Sequence, residues 1–457
     1  MKKMMKYMKV QVVSKETIKP SSPTPPHLRT YNFSLIDQHI PQLLYIPFIL
    51  FYSPNIHHKD HDDDHHRQLI NIQTQSLDRL KTSLSETLTL YYPLAGRIKN
   101  DSIICCEDEG VEFVHTKVID SPLLELVNKA EPENLAQLLP RHDHQRNEKP
   151  PLLSIQFNAF ECGGMAIGLW FSHKVADSSS LCTFLHNWAS IARGSLSSTE
   201  ILCPRFDCAT HFPPKQLMSP LQHVKTKGEV VSRRYIFDAS MIAALKAKAS
   251  TTINRNSSSS ISPSRVLAVI AFLWRTVIAM DREKQLGSIR PLNMGIAVSL
   301  RSKMELTLPE LSFGNLVAIG MTSAFHEQEV VERIGDLFGK FNRDYVKKLQ
   351  SGEEYLKLME SLGELEEQIC RGEAERYGVT SWCRFPFYEV DFGWGKPVWA
   401  NVAAFEDNNF FVLMDTRFGE GIEVWVSLGE DDMARFQRQL DRELLVLFNS
   451  FSSVGSA

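Results

Sequence analysis

Cysteine is sparse. The 457 residues hold eight, Cys105, Cys106, Cys162, Cys182, Cys203, Cys208, Cys370 and Cys383, and no two form a C-x-x-C pair. That spacing argues against a zinc ribbon and against a disulfide framework, and it suits a reducing compartment. Long apolar runs are missing as well. The longest, Leu43 to Tyr52, is interrupted by Pro47 and is about half a membrane span. The basic start, Met1 to Val13, has no apolar core of the length a secretory leader needs. A soluble, cytoplasmic protein is expected. No charge of one sign dominates: 50 Lys and Arg stand against 54 Asp and Glu, a net charge of −4. Nothing in that balance draws the whole molecule to nucleic acid or to an anionic membrane. Several chemistry-bearing motifs are also absent: no G-x-S-x-G elbow, P-loop, H-E-x-x-H or G-x-G-x-x-G occurs. No internal repeat is evident.

What remains is ordinary globular material, 43% hydrophobic and 23% charged, which is enough to build a sizeable core. At ~100–200 residues per domain the length suggests two to three domains. Residues 15–26 are proline-rich and read as extended chain. Residues 55–66 hold five histidines among Asp60, Asp62, Asp63 and Asp64. They read as a solvated loop, since neighbouring like residues do not all point at one ion. Leu77, Leu80, Leu84 and Leu88 predict a helix over 74–90, ended by Pro93. Ile103–Cys106 and Val111–Val114, either side of Glu107-Asp108-Glu109-Gly110, predict a hairpin. The polar run 141–151 reads as a loop. Met165 to Phe171 reads as a buried strand, followed by a helix carrying Leu181, Phe184, Leu185, Trp188 and Ala189. The aperiodic stretch around 203–222 is the best linker. Residues 250–264 read as an exposed Ser-rich loop, with Ser264 capping a helix over 266–280. Residues 327–376 read as charged helix. Val412–Asp415 and Glu423–Ser427 read as strands before a closing helix over 432–448. Strands and helices mixed in both halves define an α/β or α+β layered protein. The expected division is 1–202, a linker at 203–225, and 226–457.

Two segments stand out chemically. His173-Lys174-Val175-Ala176-Asp177 is an H-x-x-x-D set between the buried strand and the following helix. A second H-x-x-x-D, His58 to Asp62, has no such support. A side chain between strand and helix is held rigidly, and a neutral imidazole accepts a proton at neutral pH. Asp177 either holds the ring or anchors the loop through a distant arginine. The other segment is Asp391-Phe392-Gly393-Trp394-Gly395-Lys396-Pro397. It reads either as a turn with a buried ring that locks the structure or as the carrier of a second acid/base group, Asp391.

H-x-x-x-D upstream and D-F-G-W-G far downstream resemble the plant BAHD acyl-CoA-dependent acyltransferases. The likeness covers nearly the whole chain. It includes Tyr92-Pro93-Leu94-Ala95-Gly96-Arg97, Ser34-Leu35-Ile36-Asp37 and Phe313-Gly314-Asn315. One motif departs: the family's N-L-R-x-R reads Ser299-Leu300-Arg301-Ser302-Lys303, and lysine does not make the bidentate fork of arginine. Ser21–Pro25 and Ser381–Tyr388 are similar to a subgroup that mostly acetylates alcohols on alkaloid or terpenoid scaffolds.

The resemblance implies two similar-sized α/β domains of the chloramphenicol-acetyltransferase type, each a mixed sheet flanked by helices, with a tunnel between them. It implies His173 as general base, and support from Asp177 paired with Arg301, Lys303 being the runner-up. It implies Asp391 in a segment that is mostly structural although sometimes called catalytic, and Thr380 and Trp382 near the thioester as oxyanion donors. It implies acetyl-CoA as co-substrate, no permanently bound cofactor or metal, a small-molecule acceptor alcohol, and a monomer. An amine acceptor, hydrolysis by an esterase or thioesterase, and a non-catalytic binding relative are the alternatives.

Overall fold

The computed structural model describes residues 8–54, 63–141, 149–194, 201–215, 229–253, 263–285, 291–305, 309–402 and 408–452. Its strands run in chain order as β1 (Lys9–Ile18), β2 (Thr30–Asn32), β3 (Tyr45–Tyr52), β4 (Arg97–Asn100), β5 (Ile103–Cys105), β6 (Val111–Ile119), β7 (Leu153–Phe160), β8 (Met165–Ser172), β9 (Val230–Phe237), β10 (Leu292–Ser299), β11 (Val317–Ala324), β12 (Arg376–Ser381), β13 (Trp399–Asn401), β14 (Phe410–Asp415) and β15 (Ile422–Gly429).

These strands belong to two compact units. The first comprises Met1–Gln222, Leu306–Leu316 and Phe385–Ala404, and the second comprises His223–Glu305, Val317–Arg384 and Phe405–Ala457. The first unit also takes back two segments from the second half of the chain. One of them contains Asp391-Phe392-Gly393-Trp394-Gly395, which the sequence division had assigned to the C-terminal domain. The other segment is held by the supposed linker itself. Arg205 donates its N–H to Leu311 (2.7 Å), and Phe313 donates to Arg205 (2.8 Å).

The first unit is built on a six-stranded sheet ordered β1-β6-β7-β8-β3-β13, with a small sheet β2-β5-β4 beside it. The β6–β7 pair is parallel and the other pairs of the large sheet are antiparallel. Its central strands explain their own sequence. Strands β3 and β7 are buried at every position, as apolar runs covered on both faces should be. Phe48, Phe51, Phe157 and Phe171 have no exposed surface, and each contributes roughly 1.5–3 kcal/mol by burial. The helix Asp63–Leu90 lies along this unit with Leu80, Leu84 and Leu88 fully buried. It starts a full eleven residues before the predicted position 74. Its extra turns are anchored by Gln73, whose Nε2 donates to Phe160 O (2.9 Å) and Gly164 O (3.1 Å). A polar anchor leaves no mark in a hydrophobic period. Of the His/Asp-rich tract, 55–62 lies outside the described residues.

The predicted hairpin across 107–110 does not form. β5 pairs with β2 and β4 in the small sheet, while β6 pairs with β1 and β7 in the large one. The turn is tied elsewhere: the Asp108 carboxylate accepts from Thr24 N (2.8 Å) and Thr24 Oγ1 (2.6 Å). Asp108 and Gly110 both have positive φ, so the chain swings from one sheet to the other.

The second unit is a sheet ordered β11-β10-β12-β14-β15-β9, parallel at β10–β12 and β12–β14. Helices Ala239–Ile253, Arg265–Lys284 and Glu430–Ser452 flank it. Ser264 Oγ caps the second of these by accepting from Leu267 N (3.1 Å). The charged stretch 327–376 resolves into three helices, Val330–Lys340, Arg343–Gln350 and Glu353–Cys370, before β12 begins at Arg376. Among the described residues no helix is long and apolar enough to cross a membrane.

Candidate active site

His173 sits where β8 ends and the helix Ser178–Ala192 has not begun. Its backbone N–H donates to Leu44 O (2.9 Å), which ties this loop to the start of β3. Its Nδ1 lies 3.1 Å from Asn315 Oδ1. Asn315 comes from a segment far along the sequence yet is fully buried in the same unit. Its Nδ2 donates to His173 O (2.8 Å) and to Asp37 Oδ1 (2.8 Å), and its backbone N–H donates to the same Asp37 oxygen (3.0 Å).

Asp37 occupies the first turn of the short helix Leu35–His39. There it completes a capping box: Ser34 N and Ser34 Oγ both donate to Asp37 Oδ2 at 2.8 Å, and Asp37 N donates to Ser34 Oγ. Ser34-Leu35-Ile36-Asp37 is thus a helix start whose carboxylate has a second duty toward Asn315. Burial pushes the Asp37 carboxyl up to about 6, while the bonds from Asn315 and Ser34 pull it back.

Lys174, next in the chain, is bonded to the helix Leu35–His39 and the residue after it. Its side chain is fully buried, and Nζ donates to the carbonyls of Asp37 (3.2 Å), Gln38 (3.1 Å) and Ile40 (3.0 Å), with Asp101 at 3.7 Å. One ammonium therefore closes the C-terminal end of the helix that carries Asp37, a favourable place for a cation.

Asp177 caps the helix Ser178–Ala192, its Oδ1 accepting from Ser180 N (3.0 Å). Its Oδ2 accepts from Leu316 N (3.1 Å), and its own N–H donates to Gly314 O. Ser180 Oγ meets Gly314 O and Gly314 N at 3.0 and 3.2 Å. The strap Gly314-Asn315-Leu316 is thereby held at both ends, with Asn315 between. Gly314 has φ +143°, and a Cβ there would lie 2.7 Å from Cys208 Sγ, so only glycine fits.

The imidazole of His173 is pulled below the ordinary histidine value of 6.5, first by burial. A bond to its own carbonyl, the charge of Asp177 and the bond to Asn315 act in the other direction. A ring so biased is neutral at pH 7 and able to accept a proton.

The other predicted residues each lie within their own unit. Asp391 is in the first unit, but its carboxylate is used within its own turn: Oδ1 accepts from Gly393 N (2.7 Å) and Gly395 N (2.9 Å). Its carbonyl accepts from Arg193 Nη1. Around it Phe392 stacks on Trp394 (5.4 Å between centroids) and meets Trp188 edge-on (4.9 Å). Arg301 is buried in the second unit, in a 3-10 turn after β10. Thr380 and Trp382 are also in the second unit, at the end of β12, where the backbone N–H of Trp382 is engaged by Leu413 O (2.7 Å). Asp37 and Asn315 were visible in the sequence only as parts of motifs. Nothing in their spacing, 278 residues apart, marked them as neighbours of each other or of His173.

The fold is shared with TRI101 of F. graminearum, solved with coenzyme A and deoxynivalenol, at a TM-score of 0.67 and 18% identity over 89% of this chain and 96% of that one. The crystal structure of vinorine synthase superposes at a TM-score of 0.74 with 37% identity, covering 93% of this chain and 96% of that one. By sequence, vinorine synthase of Rauvolfia serpentina is 39% identical over 96% of this chain and 98% of its own length. Stemmadenine O-acetyltransferase of Catharanthus roseus is 36% identical over 93% and 95%. The Transferase family profile matches residues 8–443. The chain belongs to that family, the plant BAHD acyltransferases. It is an acyltransferase that takes acyl-CoA as co-substrate.

Proposed function

We propose that the protein moves an acetyl group from acetyl-CoA to a hydroxyl of a plant specialised metabolite of alkaloid or terpenoid type. The observation that carries this reading is the His173 imidazole, held by hydrogen bonds and biased toward its neutral form. Support for the substrate class comes from relatives named as O-acetyltransferases of stemmadenine and of limonoids.

In this reading His173 takes the proton of the acceptor hydroxyl as its oxygen bonds to the thioester carbonyl carbon. The tetrahedral oxyanion collapses, the C–S bond breaks, and coenzyme A leaves as a thiolate that recovers the proton from His173. No covalent enzyme intermediate is needed when both substrates are bound together. Fixed donors to the oxyanion are commonly worth ~3–4 kcal/mol each. Thr380 and Trp382 are the candidates by motif position, Trp382 through its indole because its backbone N–H is already engaged. Asp177 and Arg301 are assigned to support. Asp391 is assigned to its turn, since two backbone N–H groups already claim one carboxylate oxygen. All eight cysteines are free, which suits a cytoplasmic setting, and we take the working form to be a monomer.

The test is mass spectrometry of products from purified protein given acetyl-CoA and a panel of hydroxylated alkaloids and terpenoids, with His173→Ala alongside. An acetylated product made only by the wild type supports the proposal. Free coenzyme A without an acylated product overturns it in favour of hydrolysis.

A further inference from the structure

The contacts of Asn315 settle more than the position of His173. A carboxamide has one acceptor end and one donor end. The two neighbours of Asn315 Nδ2, the carbonyl of His173 and the carboxylate of Asp37, are both acceptors. Were the amide turned over, its oxygen would face these two oxygens with no proton between them, a buried arrangement that costs roughly 1–3 kcal/mol per unmade bond. Asp37 is in turn fixed by Ser34 on one oxygen and by the backbone N–H of Asn315 on the other. The amide therefore has one orientation, with Oδ1 toward the ring.

An oxygen 3.1 Å from Nδ1 requires a proton on Nδ1. A neutral imidazole carries one N–H. With Nδ1 protonated, Nε2 holds the free electron pair.

We propose that Asn315, oriented by Asp37, is the positioning residue that holds the His173 imidazole in its Nδ1–H form and so makes Nε2 the proton-accepting nitrogen. Neither residue touches substrate in this role; both act through His173. The inference rests on His173 as the base for its catalytic meaning, but the tautomer is a property of the free protein and is measured without any acceptor.

The experiment is a long-range proton–nitrogen correlation spectrum of the full chain labelled with [15N]histidine, recorded at pH 7.5–8. The His173 signals are identified by their loss in His173→Gln. In the wild type, Nδ1 is expected at the protonated position and Nε2 at the unprotonated one. In Asn315→Ala the Nδ1–H form is expected to fall from dominant to minor. Asn315→Leu, close to asparagine in shape and without an acceptor, should lose the Nδ1–H form in the same way, and it serves if Asn315→Ala does not fold. A wild-type ring protonated on Nε2 overturns the proposal. So does an Asn315→Ala ring that keeps its tautomer, since the residue's own carbonyl would then suffice. Loss of acetyl transfer with a normal tautomer would instead count against the functional reading alone.

Discussion

Asn315 grips His173 twice, donating Nδ2 to its carbonyl oxygen at 2.8 Å and presenting Oδ1 to its ring nitrogen at 3.1 Å. Backbone and side chain of the candidate base are thus referenced to one carboxamide. Such a pair of contacts fixes a ring far better than either alone, and rates are sensitive to misplacements of about 1 Å, which can cost ~10²-fold.

Replacement of His173 by Ala is expected to lower kcat by roughly 10²–10⁴-fold, the usual worth of a positioned base. The circular dichroism spectrum and melting temperature should stay close to wild type. An active, well-folded variant would sink the mechanism.

Asn315→Ala is expected to reduce kcat by about 10²-fold while KM for acetyl-CoA changes little, because the residue acts on the base and not on the thioester. A rise in KM with unchanged kcat would assign Asn315 to binding instead.

Asp177→Ala removes a helix N-cap, worth ~1 kcal/mol, and strands the buried N–H of Leu316, a further ~1–3 kcal/mol. Urea denaturation should register that combined loss. Activity should fall with it, since the strap carrying Asn315 is released. Asp177→Asn, which keeps an acceptor for one of the two donors, should recover part of the stability. An Asp177→Ala variant of normal stability and no activity would make Asp177 a participant in the chemistry.

The pH dependence separates His173 and Asp37, whose shifts act with opposite signs. The His173 pKa is lowered on folding, so the native state takes up its proton less readily than the unfolded chain, and stability falls as pH drops below 6.5. Asp37 is raised from 3.8 to about 6, so its ionisation opposes folding, and that penalty fades as pH falls from about 6 toward 3.8. His173→Gln should flatten the first slope and Asp37→Asn the second, in melting temperatures recorded between pH 4 and 7. The rate itself should fall on the acid side, with an apparent midpoint below 6.5 in the wild type.

Gly393→Ala and Asp391→Ala test the turn. Gly393 has φ +103°, a conformation that alanine adopts only with strain. Asp391→Ala leaves two backbone N–H groups without their acceptor. Both changes should lower stability by ~1–3 kcal/mol. The acid limb of the rate profile should stay where it is. Its displacement in Asp391→Ala would revive the acid/base reading.

The sequence was a good guide wherever local pattern and structure share a cause. β8, the helix after it, the Ser264 cap and the closing helix all carry their own periodicity or capping residue. His173 was singled out because it reads as standing at a strand-to-helix junction, and the structure places it between β8 and the helix Ser178–Ala192. The sequence misled where local pattern was overridden at a distance. Ile103–Cys105 and Val111–Ile119 look like two arms of a hairpin, but Thr24 claims Asp108 and sends them to different sheets. The extra turns of the helix Asp63–Leu90 carry a polar tie, from Gln73 to two carbonyls, that has no hydrophobic period. The partners of His173 were the hardest to read. Asp37 and Asn315 meet it only through long-range closure, and hydrogen bonds between distant polar residues have no period.

The strap Gly314-Asn315-Leu316 also sets an order of events during synthesis. A chain stopped at Gln222 already contains the H-x-x-x-D loop, the capping box and most of the first sheet. It does not yet contain the residue that aligns the imidazole. Contacts spanning 142 residues close late, after the loop between them has been made. A nascent or truncated chain of this kind carries the histidine without the bonds from Asn315, so under the role proposed for Asn315 activity waits for synthesis past Leu316 and not for folding of the first half.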